Sequence, residues 1–208
     1  MAPKAQSGAT APDKDAAPES RATRFMGSAL AILGETGRTD FTVLEVVERS
    51  KTSLRAFYQH FATKDELLLA LVEKIMADAT VHWRAEVETM SSADALRRLI
   101  ERISAPAESS TQDSINRGLT YYNDHLLETR PKEFAKVLEP LHALVVDVLR
   151  RGIAEGEFRA DLDVETDAAI LMQTVLGALR LRDLGAELNG VPIDGGHLYT
   201  FCLRGLAR

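Results

Sequence analysis

Residues Thr42–Leu67 read TVLEVVERSKTSLRAFYQHFATKDEL, and their spacing decides the fold. Thr42-Val43-Leu44-Glu45 has the S/T-x-x-E form of a capping box, which predicts a helix starting at Thr42. Val43, Val46 and Val47 recur at helical spacing and give that helix one apolar side. Arg49-Ser50-Lys51 breaks the pattern, and Thr52 or Ser53 can cap a second helix. Its apolar residues Leu54, Phe57, Tyr58 and Phe61 are expected to turn inward. Thr63-Lys64-Asp65-Glu66 is another capping box and opens a third helix. Two helices of about two turns each, joined by roughly three or four residues, have helix-turn-helix geometry.

The order Thr42, Val46-Val47, Ser53, Phe57-Tyr58, Phe61, Lys64 and Leu67 resembles the DNA-binding domain of TetR-family transcriptional regulators. Tyr58-x-x-Phe61-x-x-Lys64-x-x-Leu67 is the most specific part of the likeness. The departures cluster at the turn, where Val47 and Ser50 stand for the usual alanines, Lys51 for glycine and Thr52 for valine. Lys51 matters most, because a tight turn that needs positive φ disfavours a side chain. A locally altered turn is expected there, within an intact domain.

Outside this stretch the pattern is helical throughout. Ser20 or a neighbour starts a first helix carrying Phe25, Ala29, Ile32 and Leu33, with Gly34 and Gly37 near its end. The helix opened at Lys64 keeps its apolar stripe to about Val87, roughly 36 Å at 1.5 Å per residue, and should join two domains without a flexible linker. Further helices are expected from Ser91 to before Pro106, from Asp113 to Glu128, and from Pro131 to about Glu155 with a kink or break at Pro140. Asp161 and Asp163 read as caps for a helix from Val164 to about Leu188, and Leu198, Phe201, Cys202 and Gly205 line a last one. No segment alternates as a strand does. The expected fold is all-α, with a three-helix DNA-binding domain at 20–66 and a helical ligand-binding and dimerisation domain at 67–208. Residues 1–19 are mostly Ala, Pro, Ser, Gly, Lys and Asp with almost nothing to bury, and are expected to be a disordered tail with Lys4 and Lys14 as weak phosphate contacts.

Composition narrows the function. The net charge is −6, but residues 20–76 hold eight Lys/Arg against seven Asp/Glu, whereas residues 77–208 hold 15 against 21. The acidity therefore lies outside the candidate reader, and a sequence-specific binder needs basic groups only at its contact surface. A single cysteine, Cys202, excludes an intrachain disulfide and reads as a small apolar group. The histidines His60, His82, His125, His142 and His197 are scattered without a metal-like spacing or a nucleophile partner. No Gly-rich phosphate loop occurs, so no enzyme, cofactor or metal is expected. No apolar run is long enough for a membrane span and no hydrophobic signal core is present, so a cytoplasmic location is expected.

Ser53, Leu54, Arg55, Gln59 and His60 are left to face outward on the second helix of the motif, the candidate reader of double-stranded DNA. Arg55 could pair with guanine O6 and N7 in the major groove. The resemblance implies that Thr42, Tyr58, His60 and Lys64 touch backbone phosphate, as could Arg21 and Arg24 at the first helix N-terminus. It also implies a small apolar or amphipathic effector in a cavity between the middle helices. Candidate contacts there are His82, Trp83, Asn116, Tyr121, Tyr122, His125, Met172 and Gln173. The last two long helices hold Leu176, Gly177, Leu181, Leu184, Tyr199 and Leu203, more apolar surface than a helix pair can bury, and are the candidate homodimer face. The resemblance thus implies a homodimeric repressor on a near-palindromic operator. The competing reading is a helical ligand-binding or interaction protein that has lost DNA recognition.

Overall fold

The computed structural model describes residues 20–191 and 193–207. The reading of residues 1–19 as a tail lies outside them. Nine α-helices follow in order among the described residues: α1 Arg21–Thr36, α2 Val43–Arg49, α3 Leu54–Tyr58, α4 Lys64–Val87, α5 Ser92–Ile103, α6 Ser110–Thr129, α7 Pro131–Glu155, α8 Val164–Asp183 and α9 Gly195–Leu206. A 3₁₀ turn occupies Leu188–Gly190, and the only β pairing among the described residues is an isolated antiparallel bridge between Phe158 and Ala207.

Side-chain caps account for most of the starts. Ser20, Thr42, Ser53, Thr63, Ser91, Ser109, Asp163 and Asp194 each accept a hydrogen bond from the N–H three residues on. Ser109 caps α6, whose first residue Ser110 lies three residues ahead of the Asp113 expected from the apolar spacing. Gly37 ends α1 at φ 65°, donating its N–H to the Leu33 carbonyl. The end of α8 differs from expectation. It stops at Asp183, because Leu184 caps it and Gly185 turns left-handed at φ 68°, so residues 184–188 leave the helix. Pro140 does not break α7, which runs unbroken through it. Its missing N–H frees only the carbonyl of Lys136, an exposed residue.

Two apolar cores form. The first gathers Phe25 and Leu33 of α1, Val46 of α2, Phe57 of α3 and Leu67 and Leu68 of α4, and it also takes in Tyr122 and Leu126 of α6 and Val137 of α7. The second packs α5, α7, α8 and α9 around Leu96, Ile100, Leu141, Val145, Leu171, Val175 and Leu198. Helix α4 runs between the cores, placing Leu67 in one and Val87 in the other. Helix α6 meets α1 at unusually close range. A Cβ on Gly118 would lie 2.8 Å from Leu33 Cδ2, and one on Gly34 would lie 2.8 Å from Thr111 Cγ2. No helix among the described residues is long and apolar enough to cross a membrane.

Candidate DNA-reading surface and effector cavity

The reader helix is held from beneath by aromatic packing. Phe57 is fully buried, with its ring edge-on to Phe25 at 5.3 Å between centroids and tilted against Phe61 at 5.8 Å. Ser53 caps the helix through the Ala56 N–H at 3.2 Å. Ahead of it, Lys51 adopts φ 51°, and the Thr52 N–H reaches the Val47 carbonyl at 3.1 Å, so the turn keeps its geometry with lysine in a left-handed position.

With Ala56 and Phe57 buried, Ser53, Leu54, Arg55, Tyr58, Gln59 and His60 are all exposed. Leu54 and Tyr58 are 44% and 58% exposed, which agrees with their candidate roles at the DNA and not with the inward turn that apolar spacing alone suggests; of that set Phe57 and Phe61 are buried. Charge favours an anionic partner at this face. Of the acidic groups in 20–76, Glu35 pairs with Arg49, Asp40 with Arg38, Glu45 caps α2, Asp65 meets Arg130 and Glu66 accepts the Ala62 N–H. Lys51 and Arg55 make no ion pair among the described residues, and the Nε of Arg24 is buried without an acceptor there.

Two of the candidate phosphate contacts have partners within the chain. The Thr42 N–H donates to Glu45 Oε2 at 2.6 Å, and its hydroxyl lies 2.8 Å from the same oxygen. Those bonds hold the Glu45 carboxyl below the usual carboxylate range. Lys64 Nζ donates to the Thr39 carbonyl at 2.7 Å and lies 5.4 Å from the centre of the Phe41 ring, which leaves it two further N–H donors.

A cavity of about 170 Å³ opens between α4, α6, α7 and α8. Met76, Leu127, Phe134, Leu138, Leu176 and Leu179 form its apolar wall, and Thr120, Asn123 and Gln173 add polar groups. Asp124 accepts two hydrogen bonds from Arg180, from Nε at 2.7 Å and from Nη2 at 2.9 Å, bridging α6 to α8 beside it. Of the eight residues proposed for ligand contact, only Gln173 lines this cavity. Tyr122 faces the first core and donates to the Asp65 carbonyl at 2.8 Å, where burial, with the Asp65 charge next, pushes its phenol well above the usual range. His125 Nε2 lies 3.7 Å from Asp65 Oδ1. Met172 is buried in the second core, Trp83 packs against that core, and His82 is exposed. Asn116 lines a separate polar recess with Arg182 and Asp183, and Tyr121 covers another beside Arg38 and Asp40.

The lining residues left out of that set were visible as spacing. Thr120, Asn123, Asp124 and Leu127 on α6, and Gln173, Leu176, Gly177 and Arg180 on α8, each recur at i, i+3, i+4 and i+7. A stripe of mixed polarity gives no apolar signal, so the aromatic residues drew attention instead. Among the described residues no group of three or more His, Cys, Asp or Glu is placed to hold a metal.

The outer side of α8 and α9 carries exposed apolar groups, Ile170 at 59% and Phe201 at 69%, with Ile193 exposed just ahead of α9. Gly177 and Leu181 line the groove between these helices with Phe201. Tyr199, by contrast, is buried within the chain, its ring covered by the Arg97 guanidinium at 4.5 Å. Leu176, Leu184 and Leu203 are half-buried. Cys202 is half-buried as well, and burial pushes its thiol up.

Residues 26–71 match the family model described as "Bacterial regulatory proteins, tetR family". Over that stretch the chain is similar to the DNA-binding domain of the TetR family. It is 27% identical over 188 residues to the HTH-type transcriptional repressor KstR2 of Mycobacterium tuberculosis, covering 86% of this chain and 90% of that one. Its fold superposes on the fatty acid degradation regulator FadR of Bacillus halodurans with a TM-score of 0.70 at 15% identity, covering 88% of this chain and 98% of that one. FadR of Bacillus subtilis, in complex with stearoyl-CoA, gives a TM-score of 0.63 at 16% identity over 87% and 95% of the two chains. The matched domain and the curated relative are those of DNA-binding transcriptional regulators.

Proposed function

We propose that the protein is a homodimeric repressor that binds a near-palindromic operator and is released by a small apolar or amphipathic effector. The observation that carries this reading is the double role of α6. One side of it lines the cavity through Thr120, Asn123, Asp124 and Leu127. Its other side touches the DNA-binding core through Gly118 against Leu33, Leu126 in the core, and the Tyr122 hydroxyl on the carbonyl of Asp65 in the first turn of α4. A ligand that shifts α6 must move contacts to both α1 and α4. In this reading residues 20–66 form the DNA-binding domain, residues 67–208 bind ligand and dimerise, and the protein works in the cytoplasm where the chromosome lies.

Ser53, Leu54, Arg55, Gln59 and His60 enter the major groove, with Thr42, Tyr58 and Lys64 on the backbone. Lys64 reaches phosphate with the N–H groups that Thr39 leaves unused. The exposed strip of Ile170, Gly177, Leu181 and Phe201 supports dimerisation through α8 and α9. The fold shared with a regulator bound to stearoyl-CoA supports an effector with a large apolar part. Selection of bound sequences from random duplex DNA tests the reading, and an inverted repeat is the expected product. Coupling is reciprocal, so operator must weaken effector binding by the same factor that effector weakens operator binding. Equal effector affinities with and without operator would remove the mechanism.

A further inference from the structure

Asn123 is out of place in the wall of the cavity. It sits on α6 between the buried Tyr122 and the Asp124–Arg180 bridge, and it shares the wall with Met76, Leu127, Phe134 and Leu138. Its carboxamide makes no hydrogen bond among the described residues, and its Oδ1 is buried. A buried polar atom without a partner is costly, and sites that bind polar ligand groups are where such atoms are retained. The other polar groups of the wall are mostly committed. Asp124 and Arg180 neutralise each other through two hydrogen bonds, and the Thr120 hydroxyl donates to Asp183 at 3.3 Å.

We propose that Asn123 selects the effector, and that the part of the effector lodged in the cavity is a compact apolar body bearing one uncharged hydroxyl or carbonyl group. This rests on the cavity being the effector site. A carboxamide offers both a donor and an acceptor, so it pairs with a hydroxyl or a ketone equally well. It supplies no counter-charge, and the Asp124–Arg180 bridge leaves none over, so a carboxylate or an ammonium group entering the cavity would lose its hydration without compensation. The volume of about 170 Å³ lies below the roughly 300–1,000 Å³ of sites for drug-sized ligands, which fits a short chain or a single ring in this part of the site.

The test uses three probes of one chain length on the full-length protein: 1-octanol, 1-chlorooctane and octanoate, each followed by thermal shift and by calorimetric titration. The wild type should bind the alcohol about three- to tenfold more tightly than the chloride, the range of one neutral hydrogen bond, and octanoate more weakly than either. In Asn123→Leu the alcohol and the chloride should bind equally, and the ligand-free protein should melt at a higher temperature because the unpaired amide is gone. Asn123→Ala should lose the same preference, which keeps the test open if the leucine variant folds poorly. A preference for the alcohol that survives in both variants, octanoate binding tightest, or no binding of any probe would each overturn the proposal. Operator release is measured on the same samples. Release by probes that ignore Asn123 would leave ligand relief standing without this proposal, and Asn123-dependent binding without release would do the reverse.

Discussion

Lys51 holds a left-handed backbone at φ 51°, the one described non-glycine residue with positive φ, and it stands where the family motif has glycine. The side chain there costs about 1 kcal/mol against glycine, part of which glycine's larger unfolded-state entropy takes back. Lys51→Gly should therefore stabilise the protein by about 0.5–1 kcal/mol in denaturant unfolding, leaving the helix content unchanged. A loss of stability would show that the lysine side chain makes a compensating contact. Arg55 and Lys64 differ in a way that spacing does not disclose. Arg55 is exposed and unpaired among the described residues, so Arg55→Ala should relax sequence preference at one base position, by about 1–3 kcal/mol of discrimination. Lys64→Ala should weaken binding to all sequences alike and also loosen residues 39–41, since it removes the bond to Thr39 and the contact with Phe41. Parallel binding curves on specific and scrambled duplexes separate the two, and sequence-blind losses from both would show that Arg55 is not a base reader. That Lys64 has an internal partner was not legible, because Thr39 lies 25 residues away in the chain.

Among the elements, helix starts were legible and helix ends were less so. A cap is a local event within three residues of sequence, which is why Ser20, Thr42, Thr63 and Ser91 could be read directly. The end of α8 depends on whether Gly185 takes a left-handed turn, and the apolar pattern carried past it to Leu188. The joint between α4 and α5 is made by charge. Arg102 donates to both Glu86 oxygens at 2.8–3.2 Å, and Arg98 lies 3.4 Å from Oε1. The hydrogen bonds from Arg102 hold the Glu86 carboxyl below its usual range. Because that carboxyl is more acidic folded than unfolded, its stabilisation is complete above the ordinary carboxylate range and is lost as pH falls through the depressed value. Unfolding followed from pH 7 to pH 3 should show Glu86→Gln less stable than wild type at neutral pH and the two converging at the acid end. A gap that stays constant across the range would mean that the pair contributes nothing through its charge.

For the whole molecule the open question is what covers α8 and α9. Phe201 and Ile170 are 69% and 59% exposed, and neither belongs to the second core. A dimer that buries Phe201 near its centre makes it an anchor, for which truncation or charge costs about 2 kcal/mol or more, roughly thirtyfold in affinity. Phe201→Glu should shift sedimentation from dimer to monomer at micromolar concentration and weaken operator binding with it. An unchanged sedimentation coefficient would place the dimer face elsewhere.

Whatever is carried at short range could be read from the residues alone: the succession of helices, most of their caps, the helix-turn-helix and its family likeness, and the long α4 that joins two regions. Hydrogen bonds to helix caps and 3.6-residue apolar spacing are local, so they are written within a few residues of where they act. Which faces meet was settled by the packing of the helices in three dimensions. It set Tyr122 against Asp65 instead of a ligand cavity, turned Tyr199 into the core of the chain, and made Thr120, Asn123 and Gln173 one wall from helices some 50 residues apart. Those placements depend on how helices rotate and approach one another. Gly34 and Gly118 allow α6 to lie close on α1, and that approach sets which side of α6 is left for the cavity.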